Sequence, residues 1–85
     1  SGGGGNGRPS AKQREWILAE ARRDGNAMFH DLYEMGEAIK RASTYDELVE
    51  LVKQLNRELP FHFPTKAALD VLKGKLRARR KELIT

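Results

Sequence analysis

Eighty-five residues hold one small domain, and the absence of cysteine excludes a disulfide framework, a thiol nucleophile and a thiolate metal site. Hydrophobic residues make up 39% of the chain and charged residues 33%, enough for a modest core, with no apolar run near the roughly 20 residues of a membrane span. The net charge of +4 is concentrated at one end, with seven basic against two acidic side chains in residues 66–85, which favours a polyanionic partner.

The chain opens Ser-Gly-Gly-Gly-Gly-Asn-Gly. Consecutive glycines lose the most backbone entropy on ordering, so residues 1–9 are expected to be a disordered linker or expression remnant. Residues 10–85 then form a single helical domain, such as the C-terminal domain of a longer protein. No strand precedes the glycines and no Gly-Lys-Ser/Thr closes them, which argues against a phosphate loop. The start has no apolar h-region of a secretory signal, so the expected location is intracellular, cytoplasmic or nuclear/nucleoid.

Ser10 with Gln13 has capping-box spacing and predicts a first helix over 11–23, ended by Asp24-Gly25-Asn26. Its apolar residues form no tidy stripe, which leaves Trp16 at an edge. Asn26 is a credible cap for a second helix over 27–42, whose Met28, Leu32, Met35, Ile39 and Ala42 make a 4-3-4-3 seam. That seam could serve a monomer or a dimer, so the oligomeric state stays open. Thr44 with Glu47 opens a third helix over 45–58, with Leu48, Leu51, Val52, Leu55 and Leu59 as its stripe and Pro60 as its stop. Leu59 to Pro64 reads as a short rigid connector in which Phe61 and Phe63 face the same way and plug the core. Thr65 caps a fourth helix over 66–84, with Leu69, Leu72, Leu76 and Leu83 inward. No segment alternates with period two, so the expected fold is all-α, a small bundle of four helices.

Catalytic and metal chemistry find little support. Ser10, Ser43, Thr44 and Thr65 fall at helix starts, where capping explains them, and neither His30 nor His62 is spaced to activate one of them or Thr85. His30 and Glu34 stand four apart on one expected helical side, but no second ligand pair accompanies them. The expectation is therefore a non-enzyme with no metal and no cofactor.

The fourth helix carries the main signal. Residues 71–81 hold six basic side chains and no acid. At the α-helical pitch Lys66, Lys73, Arg77 and Arg80 fall within about 60° of one another, and Lys81 extends the stripe. Lys75 and Arg79 border the other side of the leucines, and Asp70 is placed to pair with Lys73 or Arg77. Such a face can lie along phosphates and release counterions, so the first expectation is a nucleic-acid-binding module that uses these seven cations. The alternative is a protein-interaction domain bound through Trp16, Phe61 and Phe63. Association with a membrane is not expected, because the bundle core claims the leucines of the basic helix.

Residues 44–76 also resemble the SAP-type helix–extended–helix motif of DNA-binding proteins. Glu47-Leu48, Pro60, Pro64, Thr65-Lys66 and Leu69 stand in the motif's roles. The resemblance implies DNA ahead of RNA, with Lys66 and the start of the fourth helix approaching phosphates. The chain departs from the motif in its longer connector, in Pro64 where a glycine is usual, and in its longer final helix.

Overall fold

A computed structural model describes residues 8–84. The expected linker over 1–9 therefore falls almost wholly outside the described residues, as does Thr85. The described chain is all-α, with helices α1 (Ala11–Arg23), α2 (Leu32–Arg41), α3 (Tyr45–His62) and α4 (Lys66–Ile84). The third helix is the hub. It packs against α1 on one side and against α2 and α4 on the other, and α2 also packs on α4. No described helix is long and apolar enough to cross a membrane.

Local chemistry explains most boundaries. Ser10 and Gln13 exchange backbone bonds in a capping box at 3.2 and 3.0 Å. The first helix ends in a Schellman arrangement, with Gly25 at φ +79° and the amide of Asn26 bonded to the Ala21 carbonyl at 2.7 Å. Thr44 and Thr65 accept the amides of Glu47 and Ala68, both at 3.1 Å, as their positions imply.

The second helix starts five residues later than its pattern suggests. Asp31, not Asn26, is its cap, accepting the Glu34 amide at 2.9 Å. Residues 27–31 form no helix, and three of their amides, those of Met28, Phe29 and His30, are bonded to side-chain carboxylates instead of a helical ladder. The backbone N–H groups of Met28 and Phe29 both donate to the Glu58 carboxylate at 2.9 Å. This corrects the seam as well: Met28 is 61% exposed, while Met35, Ile39 and Ala42 join the core.

The third helix runs four residues past its expected end. Pro60 has no amide to give the ladder, but it sits in the last turn, where little of the helix follows it. His62 Nε2 reaches back to Glu58 Oε1 at 3.2 Å and holds that turn in register. Phe63 then adopts the left-handed conformation, φ 48° and ψ 56°, and Pro64 cannot continue the helix. The connector thus shrinks to Phe63, Pro64 and Thr65. Phe61 is helical, so the alternation that would have turned it to the same side as Phe63 does not apply, and both rings are half-buried.

The core joins α2, α3 and α4 through Met35, Ile39, Leu48, Leu55 and Leu72. Beneath it lies Glu58, fully buried at 0% exposure. Burial raises the pKa of this carboxyl, but hydrogen bonds from Gln54, the Phe29 and Met28 amides and His62 outweigh it, so the net position is below the ordinary value of 4.5. A depressed folded-state pKa contributes stability above the unfolded value, and that contribution disappears as pH falls through the lowered one. Urea denaturation across pH 3 to 7 should show stability falling below about pH 4.5, and Glu58→Gln should flatten that fall. At pH 7 Glu58→Ala should cost about 3 kcal/mol, since two buried amides lose their acceptor.

Gly36 marks the approach of α2 to α4. A Cβ there would lie 2.8 Å from Lys75 Nζ and 3.2 Å from its Cδ, so the side chain lying across Gly36 must shift to admit one. Gly36→Ala should therefore lower the melting temperature by a few degrees, the displacement of Lys75 outweighing a helix-propensity gain of up to about 1 kcal/mol.

Candidate functional site

The fourth helix divides its cations between packing and solvent. Arg79 turns inward, donating from Nε and Nη2 to the Ala42 carbonyl at 2.9 and 2.8 Å, and its Nη1 meets Glu82 at 2.9 Å. It thereby satisfies a carbonyl left open at the end of α2. Lys75 is half-buried, lying across Gly36. These two of the seven candidate cations are engaged with the fold.

Lys66, Lys73, Arg77 and Arg80 are exposed. Among the described residues none of the four meets a carboxylate within ion-pair distance. The anticipated pairing of Asp70 with Lys73 or Arg77 does not form among the described residues, which keeps the ridge positive. Lys81 is exposed and has a partner of its own.

Three of the ridge cations overlook a groove of about 470 Å³ between α3 and α4. Tyr45, Leu48, Val49, Val52 and Leu76 form its floor. Lys73, Arg77 and Arg80 rim one side and Lys53 the other, and among the described residues no acidic side chain lines it. Lys53 pairs with Glu50 at 3.2 Å, but both side chains are largely exposed, so the pair holds them weakly. The contribution of α3 to this site was not apparent from the sequence. The signal available was Val49 and Val52, the two branched residues that widen the leucine stripe toward one side.

The remaining candidates lie apart from the groove. Trp16 is 65% exposed on α1 and closes no core. Phe61 lines a second hollow of about 310 Å³ whose walls mix signs, carrying Arg14 together with Glu15 and Asp31. His30 precedes α2, so the expectation that it shares a helical side with Glu34 is corrected. Its amide donates to Glu34 Oε1 at 2.7 Å, and its Nδ1 lies 3.2 Å from Arg22 Nη2. No cluster of three or more metal-ligating side chains occurs among the described residues. The hydroxyls of Ser10, Thr44 and Thr65 serve as helix caps.

No family model, curated protein or solved structure matches the chain. The reading of the site therefore rests on its own geometry and charge.

The division of labour on α4 is measurable. Arg79→Ala should destabilise the fold by about 1–2 kcal/mol in urea denaturation, through the orphaned Ala42 carbonyl. Arg80→Ala, one residue on, should change stability by less than about 0.5 kcal/mol.

Proposed function

We propose that the chain is a non-catalytic nucleic-acid-binding module that lays the ridge of α4 along a phosphate backbone. The observation carrying this reading is the set of four exposed, carboxylate-free cations, Lys66, Lys73, Arg77 and Arg80, on one side of a single helix. From Lys66 to Arg80 the ridge extends about 21 Å at the helical rise. A solvated face usually mixes signs, whereas this one has only Asp70 near its start. The resemblance of residues 44–76 to the SAP-type motif supports DNA ahead of RNA and adds the start of α4 to the contact. Lys81 lies at the ridge's far margin, and Lys75 and Arg79 serve it only indirectly, by fixing α4 on α2.

One further observation favours a second reading. Trp16 presents its ring to solvent on α1, which among the described helices packs on α3 alone, a position suited to anchoring a protein partner.

Titration of labelled duplex DNA at several salt concentrations tests the first reading. Four phosphate contacts should give a log–log slope of about −3.6. The double variant Arg77→Glu, Arg80→Glu should abolish binding and retain its helical circular dichroism, while Trp16→Ala should bind as the parent does. Absence of binding at low salt removes the proposal.

A further inference from the structure

The groove between α3 and α4 has a feature that phosphate binding does not use. Its floor is apolar, made by Tyr45, Val49, Val52 and Leu76 between the basic rim of α4 and Lys53 on α3. A phosphodiester ridge needs the cations alone, and of the floor residues only Tyr45 offers a ring to a base, the other three being aliphatic. An apolar strip flanked by one sign of charge instead complements a partner with an apolar strip flanked by the other sign.

Spacing narrows the partner further. From Tyr45 to Val52, and from Lys73 to Arg80, each wall runs about 10.5 Å, or two helical turns. Lys73, Arg77 and Arg80 are spaced one turn apart along their wall. Carboxylates carried one turn apart on a helix lying in the groove would meet them in register. We infer that this groove docks an amphipathic helical segment of a partner protein, with leucine-like anchors on the floor and aspartates or glutamates along the α4 rim. The inference stands on the apolar floor and does not depend on nucleic-acid binding. The two ligands share Lys73, Arg77 and Arg80, so they exclude each other.

The probe is a fluorescein-labelled synthetic helix of roughly 14 residues, four turns, with leucines at positions i, i+4, i+7 and i+11 and glutamates beside them at one-turn spacing. Its controls are a scrambled peptide of the same composition, a glutamate-rich peptide of equal charge without the leucine stripe, and a DNA duplex. By fluorescence anisotropy the patterned peptide should bind at least tenfold tighter than either peptide control. Val52→Asn, which is neutral, should weaken it at least tenfold and leave duplex affinity unchanged. Tyr45→Glu is the companion variant, since a carboxylate in the first turn of α3 suits the helix dipole and preserves the fold. It should weaken the peptide as Val52→Asn does. Lys66→Glu, outside the groove walls, should lower duplex affinity and spare the peptide.

Equal binding of patterned and scrambled peptides, or indifference to Tyr45→Glu, overturns the docking inference. Loss of duplex binding alone leaves it standing and removes the nucleic-acid reading. A duplex that binds while the patterned peptide does not has the opposite consequence.

Discussion

The arrangement of the helices depends on one buried carboxylate. Glu58 has no exposed surface, yet it receives hydrogen bonds from the Met28 and Phe29 amides, Gln54 and His62. Removing a charge from water costs several kcal/mol unless its lone pairs are met, and here four donors meet them. The same set of bonds does three structural jobs. It denies residues 28 and 29 to helix formation, ties the segment before α2 to α3, and steadies the last turn of α3 beyond Pro60. Arg22 reinforces the arrangement by donating to the Phe29 carbonyl at 3.1 Å, which links α1 to the same segment. Since α1 packs on no other described helix than α3, these polar links supply much of what orients it.

The placement of α4 follows from a second polar device of the same kind. The end of α2 leaves carbonyls unpaired, and Arg79 crosses from α4 to satisfy that of Ala42 with two donors. Lys75 lies over Gly36 nearby, so the helices approach where a side chain is missing. Both contacts fall on one side of α4. They fix its rotation about its own axis and turn Lys73, Arg77 and Arg80 toward α3 and solvent. The cationic ridge is thus a consequence of packing as well as of composition: inward cations set the angle at which outward ones are displayed.

Much of this was legible in the residues. Capping chemistry placed the starts of α1, α3 and α4, and the leucine period placed the inner faces of α3 and α4, because both signals are local. The extent of α2 was not legible, since Asn26 and Asp31 are both good caps and the choice between them is made by Glu58, some thirty positions away. The end of α3 was hidden for a related reason. Proline is a strong local stop, but the clamp on Glu58 holds the turn that contains it. In the candidate site, angular spacing on α4 correctly separated the exposed cations from the leucines. It could not separate Arg79 from Arg80, because a carbonyl acceptor on a different helix has no signature in the local pattern. Nor could it reveal the α3 wall of the groove, which arises only when two helices meet.

A groove of this kind has a physical origin in the size of the chain. A domain of this length buries only about 60% of its unfolded surface, so some apolar side chains must remain near water. Val71 and Ile84 are exposed singly, which is ordinary for a protein surface. Tyr45, Val49, Val52 and Leu76 differ, because they are gathered between two helices and fenced by Lys53, Lys73, Arg77 and Arg80. The fence has a cost, since like charges along one rim repel one another and weaken the packed state. A same-sign rim also discourages two copies of the chain from meeting groove to groove, while leaving the floor open to a segment of opposite charge. Apolar surface protected in this way is compatible with solubility and with selective docking at once, which mixed-sign walls like those around Phe61 would not achieve.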